Sequence, residues 1–403
     1  MYPITGVNSL TLDPSVAQGE ATLNNAIMQQ IANGPVEVFG YSQSSTIASL
    51  EMSQLATQHV SPSDVSFILV GDPSNPDGGM LERFVGASIP SFGLTASGAT
   101  PSDLYPTEIY TNEYDGFVDF PRYPINLLSD LNAYLGIIFQ HTAYVDLTSQ
   151  QISNATDLGT FGETTYYMIT TDNLPLLDPL RWIPFGNPLA DLLQPDLSVL
   201  VNLGYGSIYQ GWDTQNPPDM PTPFGLFPTN INPADVLTAL VQDIPQGISK
   251  AIADIQSGQL MNLSSLHGLL DAAHTFGLTP SDNPSLMELL GAAATYFNAD
   301  VPITPIDWSS PTDIINGLTS VASTDIATAL PTADLALALG VSLPNYDASL
   351  FVDGLEAGNL VAAIGNPIAA DVGILPLPIG LEAAVIGGAF ATTAYDLLGG
   401  LIP

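Results

Sequence analysis

Strand-like and helix-like segments alternate along the first 228 or so residues of this 403-residue chain. Val36-Glu37-Val38-Phe39 reads as a short strand. Val65 to Val70 reads as a second, apolar enough to be buried on both faces of a sheet. Thr107-Glu108-Ile109-Tyr110-Thr111 is a third, and Val7 to Leu12 a candidate fourth ahead of the others. Between them Leu23, Ile27 and Ile31 recur every four residues, and Ala48, Leu50 and Leu55 continue the helical spacing after the second turn. Strands that alternate with helices specify a parallel sheet with helices on its faces, because a parallel crossover needs a connection of helix length. The expected fold class is α/β.

After Phe227-Pro228 the pattern changes to Ala- and Leu-rich helical runs broken by Pro and Asp. Pro233 to Gln256 (as one helix or two), Pro284 to Phe297, Thr312 to Ala322 and Gly380 to Leu398 read as helices. Asn283, Ser310 and Thr332 stand where N-caps are wanted. The Pro-rich stretch Trp212 to Pro228 is the best boundary, so residues 1–228 and 229–403 are expected to form two parts. The longest apolar stretch, Ile368 to Ile402, is interrupted by Pro376, Pro378, Glu382 and Asp396. A spanning helix needs about 20 nearly uncharged residues, so this stretch is expected to be a buried helix, with membrane contact as the alternative.

Charge narrows the partners. Forty acidic residues face four basic ones, Arg83, Arg122, Arg181 and Lys250, for a formal net charge of -36. Nucleic acid is not an expected partner, because phosphate neutralisation needs clustered Lys and Arg. An anionic membrane repels such a chain. Disorder is not expected either, since 46% of residues are hydrophobic and disordered chains combine charge with low hydrophobicity. There is no Cys, which excludes disulfides and thiolate chemistry. MYPITGVNSLTLDPS has no basic region and no long apolar run, so no signal peptide is expected.

The sharpest motif is Gly40-Tyr41-Ser42-Gln43-Ser44, placed after a strand and before a helix. In a nucleophile elbow the serine occupies a strained turn. The positions two before and two after it are small because helix and strand pass closely there. A serine hydroxyl needs a base to take its proton, and the chain offers four histidines. His59 would lie roughly 25 Å from Ser42 at helical rise, at the other edge of the sheet. His267 and His274, seven apart in the Ala/Leu-rich region, fit one helix face and a structural role. His141 ends an amphipathic run (Leu127, Leu128, Leu131, Tyr134, Leu135, Ile138) whose following loop can be aimed at the sheet. The orienting acid should follow a strand. Asp115 after the third strand is preferred, Asp119 in the same motif is the alternative, and Asp72 after the second strand also qualifies but fits a turn or a substrate-pocket contact. In that reading Ser42 attacks an ester carbonyl, His141 carries the proton, Asp115 holds the imidazole, and the Gln43 N–H faces the oxyanion. A second oxyanion donor is not located.

These residues resemble the PE-PPE domain family of mycobacterial serine α/β-hydrolases. The resemblance rests on VEVFGYSQSSTIASLEM, FILVGDPSNPDGGMLERF, EYDGFVDFPRYPINLLSDLNAYLGIIFQHTAY and TTYYMITTDNLPLLDPLRWIPFGNPLADLLQPDLSVLVNLGYG, with MYPITGVNSLTLDPSVAQGEATLNNAI before and PTPFGLFP after them. It implies a cutinase- or lipase-like fold, with the family's Ser, Asp and His falling on Ser42, Asp115 and His141. It implies esterase activity on acyl esters, or acyl transfer between trehalose glycolipids as in some relatives. It also implies export to the cell envelope, with lipid contact there. Members commonly carry an N-terminal helical module that these stretches do not include, and the chain is expected to lack the domain's first strand. A degenerate, non-catalytic envelope protein is the remaining reading.

In Asn173 to Leu193, Trp182, Ile183 and Phe185 fit either an acyl pocket or lid, or packing against the sheet. Arg122 and Arg181 are each expected to pair with a local carboxylate. No P-loop, zinc or dinucleotide motif occurs, and the Asp72–Asp77 loop lacks EF-hand spacing. No cofactor or metal is expected.

Overall fold

The computed structural model describes residues 12–90, 93–268, 306, 308–327 and 329–380, with 382, 386, 393 and 397. Helix α1 (Leu12–Gln30) leads into strand β1 (Val36–Tyr41), helix α2 (Gln43–Thr57) and strand β2 (Val65–Val70). A short α3 (Met80–Arg83) and a two-stranded ribbon of β3 (Ser88–Ile89) and β4 (Leu94–Thr95) precede β5 (Thr107–Asn112). Helix α4 (Leu127–Phe139), a short α5 (Ser149–Ser153), β6 (Thr156–Phe161) and β7 (Thr164–Ile169) follow. Next come α6 (Asp178–Arg181) and α7 (Gly186–Asn202). The main sheet has the order β1-β2-β5-β7-β6. It is parallel except for β6, which pairs antiparallel with β7 across Gly162-Glu163. This is an α/β-hydrolase-like sheet flanked by helices.

One face of the sheet is the dry one. Val38, Val65, Phe67, Leu69 and Ile109 pack against Ile27 of α1 and Ala48, Met52 and Leu55 of α2. The alternation along β2 decides this, with Val65, Phe67 and Leu69 at 1% exposure or less. The expectation that β2 is buried on both faces is corrected. Ser66 and Ile68 are only half-buried, and Phe39 beside them on β1 is 66% exposed. Tyr110 and Tyr167 stack on each other at 4.6 Å between β5 and β7. Leu12 begins α1 rather than ending a strand, and residues 7–11 lie outside the described residues.

The Pro-rich stretch from Trp212 to Pro228 lies down on the sheet domain. Buried Arg83 bonds the Phe120 carbonyl (3.0 Å) and Thr222, and Thr222 bonds Asp77 (2.7 Å). Arg122 pairs with Asp213 at 2.7 Å and Arg181 with Asp191 at 2.6 Å.

Pro233 to Gln256 falls within one helix, α8 (Pro233–Ser257), which carries Pro245 inside it and packs along α7. Helices α9 (Pro311–Ala327), α10 (Ala329–Leu337), α11 (Leu343–Glu356) and α12 (Leu360–Ile374) follow. Ser310 accepts the Asp313 N–H at 3.4 Å. Thr332, expected as a cap, sits inside α10 with its hydroxyl on Glu382. Asn283 and the helix expected over Pro284–Phe297 lie outside the described residues, as does most of Gly380–Leu398.

In the described part of the stretch expected as a buried helix, residues 368–380, Ala369, Ala370, Gly373 and Ile374 are buried, while Ile368 and Ile379 are 55% and 53% exposed. Ahead of it on α12, Val361 and Ile364 are more than half exposed. By length and composition, Thr332–Glu356 and Leu360–Gly380 could each cross a membrane. The inner side of this pair joins the sheet domain, where Ala338, Leu343, Tyr346, Ala370 and Ile374 share one core cluster with Met80, Phe84 and Phe120.

Several carboxylates are buried with few cations to balance them. Burial pushes Asp130 up to about 9, Glu51 and Glu82 up to about 7, and Asp72 and Asp77 up to about 6. Neither Asp130 carboxylate oxygen has a hydrogen-bond partner. A carboxyl whose folded value is raised binds its proton more tightly in the native state. Its contribution is full below the unfolded value near 4 and is lost as pH rises through the folded value. Thermal unfolding is therefore expected at a higher temperature at pH 5 than at pH 8. Asp130→Asn is expected to shrink that difference, chiefly by raising Tm at pH 8, as calorimetry across pH 4.5–9 will read.

Candidate active site

The elbow forms where β1 meets α2. Ser42 has φ 57° and ψ -125°, so its backbone is left-handed between strand and helix. Such a conformation costs roughly 1–3 kcal/mol for a residue other than Gly and persists only where its surroundings fix it. Here they do. Ser42 N–H donates to the Val70 carbonyl at 3.1 Å. The Ser44 hydroxyl accepts the Tyr41 N–H at 2.8 Å and donates to the Tyr41 carbonyl at 2.7 Å, clamping the turn from inside. Gly40 is required by close approach, since a Cβ there would lie 2.9 Å from the Ser45 Cα and 3.0 Å from Leu69.

Three side chains meet at the C-terminal edge of the sheet. His141 Nε2 is 2.8 Å from Ser42 Oγ, and His141 Nδ1 is 2.7 Å from Asp115 Oδ2. Asp115 is fully buried and its other oxygen accepts the Phe117 N–H at 3.1 Å. The turn that carries it leaves β5 through Tyr114, whose φ is 64°. That turn presses directly on α4. A Cβ at Gly136 would overlap the Tyr114 carbonyl oxygen, and one at Gly116 would overlap the Ala133 carbonyl. The helix that delivers His141 is thus seated on the turn that delivers Asp115.

Sequence reading did not find what surrounds the imidazole. The Tyr41 hydroxyl donates to the His141 carbonyl at 2.7 Å, and the two rings lie 5.5 Å apart. Phe117 meets the His141 ring edge-on at 4.9 Å, and Tyr144 does so at 5.9 Å. The Tyr144 hydroxyl accepts the Asn112 N–H at 2.7 Å, and Asn112 Nδ2 donates to the Gln140 carbonyl at 2.9 Å. The only signal for these was the aromatic density around the motifs, which does not distinguish a site wall from core.

The other candidates lie elsewhere. Asp119 shares the turn, but its carboxylate accepts the Tyr114 N–H at 3.0 Å, and burial holds it well above the ordinary carboxylate range. Asp72 is buried at the end of β2, where it accepts the Ser74 N–H at 3.0 Å and the Thr100 hydroxyl at 2.6 Å. His59 is exposed past the C-terminal end of α2, His267 is exposed, and His274 is outside the described residues. Gln43 opens α2, so its N–H is one that a helix leaves without an intrahelical acceptor. Its side chain accepts from Ser15 at 3.3 Å. Ile183 and Phe185 are 54% and 64% exposed, so neither is packed into the core. Half-buried Trp182 bonds Ser265 at 3.0 Å. Among the described residues no group of three His, Asp or Glu is arranged to hold a metal ion.

The PE-PPE domain model matches residues 1–206. The chain belongs to the PE-PPE domain family. It is 43% identical to the uncharacterized PPE family protein PPE28 of Mycobacterium tuberculosis, over 98% of this chain and 60% of that protein. It is 42% identical to Esterase PE16 of the same organism, over 75% of this chain and 55% of the relative. It is 28% identical to Diacyltrehalose acyltransferase Chp2, also of M. tuberculosis, over 49% of this chain and 58% of the relative. The chain thus spans about half the length of the curated relatives it matches. No solved structure matches it.

If α4 must seat on the acid's turn without side chains between them, Gly136→Ala is expected to cost about 1–3 kcal/mol of stability. A urea titration followed by circular dichroism checks this, with Ile138→Ala, at an exposed position of α4, as the contrasting helix variant.

Proposed function

We propose that this PE-PPE domain protein is a serine esterase that hydrolyses acyl esters through an acyl-enzyme. One observation carries the reading: the hydrogen-bonded line from Ser42 through His141 to buried Asp115, built on a strained strand-to-helix turn. A serine hydroxyl is nucleophilic only when its proton has somewhere to go. His141 Nε2 stands at hydrogen-bond distance to take it. Asp115 holds the ring through Nδ1 and balances the imidazolium that forms. As Ser42 Oγ bonds to the ester carbon, the carbonyl oxygen becomes an oxyanion facing the Gln43 N–H at the start of α2. Collapse releases the alcohol, which takes the proton back from His141. Water then enters by the same route and frees the acid.

An esterase among the relatives supports this reaction class. A relative named as a diacyltrehalose acyltransferase favours a second reading, in which a sugar hydroxyl replaces water at the deacylation step. The mycobacterial PPE and glycolipid acyltransferase relatives support association with the cell envelope and a lipid substrate.

Ser42→Ala and His141→Ala are each expected to lower p-nitrophenyl ester hydrolysis by about 10³-fold or more, with folding unchanged by circular dichroism. A fluorophosphonate probe should label the wild type at Ser42 and leave Ser42→Ala unlabelled. Hydrolysis that survives Ser42→Ala would sink the assignment. Product analysis with and without added trehalose separates hydrolysis from acyl transfer.

A further inference from the structure

Within the stretch Trp182 to Leu189 the side chains of Ile183, Phe185 and Leu189 are exposed, yet the stretch is held in place. Phe185 adopts φ 62°, a left-handed conformation that is uncommon for an aromatic residue, while its ring is 64% exposed. Burial of the ring therefore does not offset the strain. Trp182 meets Phe139, the last residue of α4, edge-on at 5.7 Å, which joins this stretch to the helix that ends two residues before His141. On α4 itself Leu127, Leu131 and Ile138 are 67%, 50% and 42% exposed. Their spacing of four and then seven puts them on one helical stripe. Ile183 and Phe185 just before α7 and Leu189 on its first turn are exposed as well, next to the Trp182–Phe139 contact that joins them to the end of α4.

The two segments that form this surface carry no exposed charge, and the acids nearest them, Asp146, Asp172 and Asp191, stand at their margins. Between residues 127 and 145 the sole acid is Asp130, which is 2% exposed. Residues 182–190 contain no charged side chain at all. On a chain of net charge -36, such a surface offers no steering for a charged protein partner, and the field around it opposes anionic lipid. Beyond α7, α8 turns another apolar stripe outward, from Leu237 at 64% exposure to Ile255 at 57%.

We infer that the outer stripe of α4 together with Ile183, Phe185 and Leu189 is a docking surface for an uncharged lipid interface. The inference rests on the esterase reading for its purpose: it places an ester-bearing lipid layer beside the His141 loop. An apolar helix face binds at the headgroup boundary in proportion to buried apolar area, and electrostatic attraction adds to it only where basic residues are present. Here they are absent, so binding should be insensitive to salt and selective against anionic surfaces.

The test uses the full chain with vesicles of phosphatidylcholine and of phosphatidylglycerol, emulsified tributyrin, and p-nitrophenyl acetate in solution. The wild type is expected to cosediment with phosphatidylcholine vesicles at low and high salt, and at least ~10-fold more weakly with phosphatidylglycerol. The double variant Leu131→Asp/Phe185→Asp is expected to lose ~10-fold or more of both vesicle binding and tributyrin hydrolysis. Its p-nitrophenyl acetate hydrolysis should stay within about two-fold, which also reports that it has folded. A wild type that ignores phosphatidylcholine vesicles overturns the inference. So does a double variant that binds them as the wild type does. A wild-type dimer that the substitutions convert to monomer, with no vesicle binding by either, assigns the surface to a second copy instead. Vesicle binding by a wild type inactive on p-nitrophenyl acetate would overturn the esterase reading and leave the docking surface standing.

Discussion

The contact on which the rest of this molecule turns is between two backbones. The carbonyl of Tyr114 sits against Gly136 of α4, and the carbonyl of Ala133 sits against Gly116. No side chain separates the turn after β5 from the helix above it. Because Asp115 belongs to the turn and His141 to the end of the helix, their spacing is fixed by this seating and not by either side chain. The 2.7 Å bond between them is its consequence. The elbow at Ser42 is the second fixed point, held by Ser44 and by the Val70 carbonyl. Side chains from positions 42, 115 and 141 can meet because all three elements end at the same edge of a parallel sheet, where such folds place their ligands.

The scarcity of cations has a structural counterpart. All three arginines are spent inside the sheet domain. Arg83 ties α3 to the Phe120 carbonyl and to Thr222 on the Pro-rich stretch. Arg181 ties α6 to Asn187, Asp191 and Gln194. Arg122 holds Asp213. A guanidinium can serve several acceptors at once, so three of them can fix connections that a domain of this size needs. The carboxylates left over are buried without counter-charges, and burial then favours their neutral form. A protein built this way is better matched to mildly acidic surroundings than to alkaline ones.

What the sequence could show depended on how local each cause is. Gly40 and Ser44 flank Ser42 for a steric reason that acts within five residues, so the motif was visible. The third strand and the amphipathic run ending at His141 were visible for the same kind of reason. The β6–β7 hairpin was not read, because Thr156–Phe161 is exposed or half-buried throughout and lacks the apolar alternation that marks a strand. Its signal was the two-residue Gly162-Glu163 loop. The roles of Tyr41 and Tyr144 depend on partners 100 and 32 positions away, which no local pattern encodes. Val65–Val70 misled in the opposite direction. Its composition allows burial on both faces, whereas Ser66 and Ile68 meet only partial cover.

Trp182, Ile183 and Phe185 show why apolar composition alone does not assign a role. The same three residues fit a pocket, a lid or a core, and the deciding facts are exposure and neighbours. Two of them face outward, beside a helix whose outward stripe is equally apolar, and the nearby Arg181 and Asp191 neutralise each other. Burying charge inside the arginine network and leaving hydrocarbon outside reverses the usual arrangement of a water-facing helix. That reversal is tolerated in water because the net charge of -36 keeps copies of the chain apart. Against an uncharged lipid layer the same acids impose no repulsion, and the exposed leucines, isoleucines and phenylalanine gain the burial that the fold itself does not provide.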